Sequence, residues 1–148
     1  MVLFAVGLDV VEDEDYTLSD IRDAFGEAVT TLVDGASEPE ELINADGGKS
    51  KTWPERKAHT IDFIKNTDRD MKLLSCADKL ANIRDIIRDY DRLGNGVWDI
   101  FNASMDSVAW YYISMLDAFG NGDEGISDVP AFKEFGKCVG KMFGEVKV

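Results

Sequence analysis

Histidine and cysteine are nearly missing from this chain, and basic residues are heavily outnumbered. There is one histidine, His59, and there are two cysteines, Cys76 and Cys138, too far apart to make a CxxC pair. Cys76 falls among apolar residues at helical spacing, so it is expected as a buried thiol in a reducing, cytoplasmic compartment. Sixteen Lys and Arg face 29 Asp and Glu, a formal charge of −13, which argues against nucleic acid and against an anionic membrane surface as partners. No stretch alternates apolar and polar residues with a period of two, which argues against β-strands. Met1–Leu8 is apolar but has no basic flank and is too short to span a bilayer, so the chain is expected to be soluble and not exported. NGDEG at 121–125 looks like half a calcium loop, yet no glutamate closes it, which excludes an EF-hand.

What is present is helical periodicity. With 148 residues, 45% of them hydrophobic and 10% aromatic, the chain is long enough for a single domain with a real core, expected over 1–148. The dominant stretch is Leu73–Arg92, LLSCADKLANIRDIIRDYDR, in which Leu73, Cys76, Ala77, Leu80, Ile83 and Ile87 share one face. Asp68 is placed to open this helix and Leu93-Gly94 to close it. Before it, Thr17 is an expected N-cap for a helix over Leu18–Phe25, ended by Gly26, and a short helix over Glu27–Val33 follows. Ala36–Thr52, with Pro39 and Gly47-Gly48, is expected as a long surface loop. Pro54 is expected in the first turn of a helix running to Asn66, with Ala58, Ile61, Ile64 and Phe63 inward. Later come a short aromatic helix over Val97–Phe101, a helix over Met105–Phe119 and a last helix over Val129–Phe143. Gly136, Gly140 and Gly144 recur every four residues there and are expected to mark a close helix–helix contact. The aromatic block Trp110-Tyr111-Tyr112 is expected in the core rather than on a substrate. The fold class is all-α.

Two acidic features stand out. Asp9, Glu12 and Asp13 lie at i, i+3 and i+4, so their carboxylates share a helix face and need solvent or a cation to relieve their repulsion. Asp78 sits at the edge of the apolar face of the Leu73–Arg92 helix, where desolvation is costly without a partner. Together these are the carboxylates that a hard-metal site would use.

Here the sequence resembles a family. AVGLDVVEDEDYTLSDIRDAFGEAVTTLVDG, WPERK, LLSCADKLANIRDI and LGNGVWDIFNAS…WYY are similar, in order and spacing, to the HD-domain phosphohydrolases, in particular the small hydrolases related to the domain that degrades guanosine bis(diphosphate), ppGpp, in stringent-response enzymes. The resemblance runs from about Ala5 to Phe119. It implies an all-α bundle holding a divalent metal, manganese in the family, with magnesium as the alternative for a site made of carboxylates. By the same resemblance Asp9 and Asp78 are metal ligands, and Glu12 and Asp13 orient or activate the attacking water. Lys79 and Asn82 shape the nucleotide side of the pocket. Basic side chains that could cradle the pyrophosphate are Arg56 and Lys57, with Lys49 and Lys51 as further candidates. The departures are specific: Leu8 stands where the family has the histidine of its His-Asp pair, Ala81 where a histidine is common, and no counterpart is found for the two helices that supply the early histidine. Two of four metal ligands remain. His59 matches no ligand position and is expected as a partly buried or surface helix residue.

Three readings follow: a phosphohydrolase-like protein with an incomplete metal site and reduced or absent activity; an inactive nucleotide-binding module; and a helical interaction protein, for instance a homodimer. Asp78→Ala is expected to abolish any thermal stabilisation by manganese, measured as a shift in Tm. Stabilisation that survives the substitution would place the metal elsewhere.

Overall fold

The computed structural model describes residues 19, 22, 23, 26, 27, 30, 48–100 and 103–144. Among them are four long helices and no strand: α1 (Gly48–Asn66), α2 (Arg69–Leu93), α3 (Met105–Gly120) and α4 (Pro130–Phe143), with a 3₁₀ segment, Gly94–Ile100, after α2. The fold is all-α, as the missing period-two alternation required. Helix α2 packs along α4, α1 along α3, and α3 on α4, while the 3₁₀ segment folds back on α2. In the earlier part of the chain, Gly26 has φ +89° and leaves the helix, its N–H donating to the Arg22 carbonyl. That agrees with its expected place as a helix end.

Helix α2 is bounded by chemistry that the sequence displays. The Asp68 side chain accepts from the Met71 N–H at 2.9 Å, satisfying one of the helix's orphan donors. Gly94, at φ +59°, ends the helix with its N–H on the Tyr90 carbonyl. Cys76 and Ile83 are completely buried, with Met71, Leu80 and Ile86 beside them. The stripe is rotated slightly from the expected one: Ile86 is buried and Ile87, like Leu73 and Ala77, only half-buried. Met115, Leu116 and Phe119 of α3 and Phe135 and Val139 of α4 close the core, and Phe119 meets Phe135 edge-on at 5.7 Å. Burying a side chain of this size contributes roughly 1.5–3 kcal/mol.

The segment between α3 and α4 is fixed by Arg69, the first residue of α2. Its backbone N–H donates to Glu124, one guanidinium nitrogen to the Gly125 carbonyl at 2.6 Å, and the other to both Asp128 oxygens at 2.9 and 3.0 Å. The Arg69 hydrogen bond holds the Asp128 carboxyl below the usual carboxylate range. The acids of this turn thus serve a helix-end clamp. The Lys72 ammonium, fully buried, donates to the Asn121 carbonyl at 3.3 Å from the same helix turn, and Ile126 is buried under the loop with its N–H on the Phe119 carbonyl.

Several expectations are corrected. Gly48–Thr52 is not loop but the start of α1, and Pro54 lies inside the helix rather than in its first turn. Proline there deletes one of the earliest rungs, close to the end where carbonyls and N–H groups are least committed. Ala58 is exposed, whereas Ile61 and Ile64 are buried as expected. Trp110 is 42% exposed, although Tyr111 and Tyr112 are core residues. The α4 glycines do not mark a tight contact: a Cβ at Gly140 would meet nothing within 4 Å, and one at Gly136 would meet Leu116 at an ordinary 3.7 Å. Close approach falls instead at Gly125, where a Cβ would lie 2.5 Å from the Gly120 carbonyl oxygen. Gly140→Ala should therefore stabilise the protein by about 0.5–1 kcal/mol through helix propensity, and Gly125→Ala should destabilise it by about 1–3 kcal/mol. Urea unfolding of the two variants checks both signs.

Candidate functional site

Asp78 stands on α2 one step from the half-buried Ala77, and its side chain is 13% exposed. Such a carboxylate needs partners, and two neighbours on its own helix supply them. The Lys79 ammonium is 3.4 Å from its Oδ2, and the Asn82 amide, one turn on, donates to the same oxygen at 3.5 Å.

A cleft of about 350 Å³ opens beside this cluster. Helix α1 lines it with Trp53 and Lys57, α2 with Lys79, Asn82, Asp85, Ile86 and Asp89, and α3 with Val108, Tyr111 and Tyr112. The α2 residues at 82, 85, 86 and 89 share a face because they recur at three- and four-residue spacing. Tyr111 is the focus. It meets Trp53 edge-on at 6.1 Å and Tyr112 at 5.5 Å. The Lys57 and Lys79 ammonium groups lie 5.0 and 5.9 Å from its ring centre, within range of the attraction between a cation and an aromatic face. Two ammonium groups thus converge on one ring at the wall of the cleft, Lys79 also facing Asp78.

Among the described residues, neither Cys76 nor Tyr112 serves as an acid–base or nucleophilic group here. Burial pushes the Cys76 thiol up to about 12, and it lies in the core, away from the cleft. Burial also raises the Tyr112 hydroxyl above the ordinary tyrosine value, with Lys79 pulling weakly the other way, so it stays protonated. His59 is exposed on α1 in a shallow hollow with Asp62, Phe63, Asn66 and Thr67, apart from the cleft.

Of the residues singled out in the sequence, Lys57, Lys79 and Asn82 come together in the cleft, with Asp78 adjacent. Arg56 does not line it: the residue is buried, its Nε donating to the Thr52 hydroxyl at 3.3 Å. Lys49 and Lys51 fall in the first turn of α1. Asp9, Glu12 and Asp13 lie outside the described residues. The sequence reading missed Trp53, Asp85, Asp89, Tyr111 and Tyr112. The 82–85–89 spacing was a signal for the acids, but only the packing of α1 and α3 shows that this face borders a cleft rather than open water.

The described residues do not by themselves fit a divalent metal. Among them no three His, Cys, Asp or Glu side chains cluster, and Asp78 is neighboured by an ammonium. A hard cation asks for about six oxygen ligands. Among the described residues no helix is long and apolar enough to cross a membrane.

With helices in this order and the Asp78–Lys79–Asn82 step beside the cleft, the chain is an all-α bundle similar to the HD-domain hydrolases. It is similar to the guanosine-3′,5′-bis(diphosphate) 3′-pyrophosphohydrolase MESH1 of Danio rerio, 31% identical over 80 residues that cover 54% of this chain and 39% of that one. To the enzyme of the same name from Mus musculus it is 37% identical over 82 residues, 54% of this chain and 40% of that one. It thus spans about two fifths of the length of these curated relatives. The crystal structure of lmo0812 from Listeria monocytogenes EGD-e superposes with a TM-score of 0.79 at 30% identity, covering 97% of this chain and 83% of that one. No family model matches the chain.

The thiol at position 76 gives a direct check on the core side of α2. Native protein at pH 8 should leave Cys76 unmodified by iodoacetamide, and denaturant should expose it to full labelling. Native labelling at Cys76, read by peptide mass spectrometry, would contradict the packing of α2.

Proposed function

We propose that this chain is an HD-family protein that binds a guanosine polyphosphate in the cleft beside Asp78, and that its hydrolytic centre is incomplete, so that turnover is slow or absent. The observation that carries this reading is the corner formed by Lys57, Lys79 and Tyr111 in a cleft with an aromatic wall. The cleft volume is within the range of small-ligand sites, about 300–1,000 Å³. Phosphate oxygens accept charge-assisted hydrogen bonds from the two ammonium groups, Asn82 offers a donor to a phosphate or a donor and an acceptor to a sugar, and Trp53 and Tyr111, both largely buried, add aromatic lining. The curated relatives, named for hydrolysis of guanosine-3′,5′-bis(diphosphate), supply the ligand class.

Metal-dependent hydrolysis needs a cation to acidify a bound water and to polarise a phosphoryl oxygen. The Lys79 ammonium beside Asp78 provides a positive charge for the carboxylate, but it cannot acidify a water as a metal does. Asp9, Glu12 and Asp13 remain the proposed additional acids of the site. On this reading the protein serves as a nucleotide-binding module with slow or absent turnover.

Two assays test this. Guanosine-3′,5′-bis(diphosphate) should raise the Tm in a buffer containing a chelator, the stabilisation reaching about 2.7 kcal/mol at a hundredfold excess over Kd. Lys57→Ala and Lys79→Ala should each weaken binding about tenfold, the loss of one charge-assisted contact. Pyrophosphate release with manganese should stay near background. No stabilisation would refute the binding reading, and rapid manganese-dependent release would refute the incomplete centre.

A further inference from the structure

The cleft is polarised along its length. At one end Lys57 and Lys79 gather about Tyr111. Towards the other, Asp85 and Asp89 line it from α2. They follow Lys79 by six and ten residues, about 9 and 15 Å along the helix axis at about 1.5 Å per residue. Asn82 lies between them along α2, and Ile86, Val108, Trp53 and Tyr112 complete the described lining. A matching ligand carries negative charge towards Lys57 and Lys79 and N–H donors towards Asp85 and Asp89.

We infer that Asp85 and Asp89 read the base of the bound nucleotide through its N–H edge and thereby select guanine over adenine. This rests on the nucleotide reading above and adds the residues that set its specificity. An ionised carboxylate only accepts hydrogen bonds. Guanine presents two adjacent donors, N1–H and the 2-amino group, which match the two oxygens of one carboxylate in a bidentate pair. Adenine places the lone pair of N1 beside its amino group, so a carboxylate facing that edge meets one donor and one acceptor. The acceptor contact is repulsive, and discrimination arises from it as much as from the guanine contact.

Each acid has an arginine one turn on: Arg88 is 2.7 Å from an Asp85 oxygen, and Arg92 is 3.5 Å from an Asp89 oxygen. These pairs do not exhaust the carboxylates, each of which offers about four lone-pair sites. If the pairs served the helix alone they would contribute little at this exposure, and their loss would be indifferent to the identity of a base. That difference is what an experiment can read.

The test is calorimetric titration of the full chain with the guanosine, inosine and adenosine 3′,5′-bis(diphosphates), in the native protein and in Asp85→Ala/Asp89→Ala. The native protein should bind the guanosine form about tenfold more tightly than the adenosine form, with inosine, which lacks the 2-amino group, between them. In the double variant this ratio should fall to near one, while affinity for the adenosine form holds or rises because two negative charges are gone. Asp85→Asn/Asp89→Asn preserves side-chain size and offers the donor–acceptor pair that suits adenine, so it should shift preference towards the adenosine form and guards against misfolding of the alanine variant. A native ratio near one, or a ratio unchanged in both variants, overturns the inference and leaves nucleotide binding standing. Failure to bind any of the three overturns both.

Discussion

The structure depends on one helix having two unlike faces, both of which must be covered. Along α2, Cys76, Leu80 and Ile83 are driven into the core against α3 and α4 by the removal of apolar surface from water. That burial fixes the helix's rotation and therefore the direction of its other side chains. Lys79, Asn82, Asp85 and Asp89 are left along the cleft side, where Trp53 from α1 and Tyr111 from α3 complete the walls. The clamp at Arg69 holds the turn before α4 to the start of the same helix, and so sets how α3 and α4 approach it. Core packing and site geometry are thus two consequences of a single constraint.

Much of the fold was legible because its signals are local. Asp68 as N-cap and Gly94 as terminator bound α2 as the sequence shows, and α3 begins at Met105 as expected, its cap Ser104 accepting from the Ser107 N–H. The start of α1 was misread because Pro54 resembles a first-turn proline. The helix extends back to Gly48, and an early missing rung costs too little to stop it. The glycines of α4 misled for another reason. Spacing every four residues puts them on one stripe, but whether a stripe faces a neighbour depends on tertiary packing, and Gly140 faces open space. Ile86 against Ile87 is the same ambiguity on a smaller scale: adjacent isoleucines of one helix straddle the edge of the core, and only the partner helices decide between them.

The candidate site was legible in part. Lys79 and Asn82 flank Asp78 in one short run, and Lys57 meets them through Tyr111, a juxtaposition carried by three helices that no local pattern contains. Tyr111 was read as core, and it is core, but the same ring is a cleft wall; burial and ligand contact are not exclusive for an aromatic side chain with one edge against the interior. Arg56 shows the converse. It neighbours Lys57 in sequence, yet a one-residue step on a helix turns it inward towards Thr52. The acids at 85 and 89 carry charge that looks like solvated surface until the cleft is seen beside them.

The chemistry that follows is binding more than bond cleavage. In the proposed function Lys57 and Lys79 meet the phosphates and Asp85 and Asp89 the N–H groups of the base, whereas Asp78 is matched by an ammonium. The most direct test is a crystal structure of the protein grown with guanosine-3′,5′-bis(diphosphate) and a chelator. Intact nucleotide should lie in the cleft, phosphates against Lys57 and Lys79 and the base towards Asp85 and Asp89. Nucleotide bound elsewhere, or a cleft without ligand at a concentration that saturates binding in solution, would contradict it.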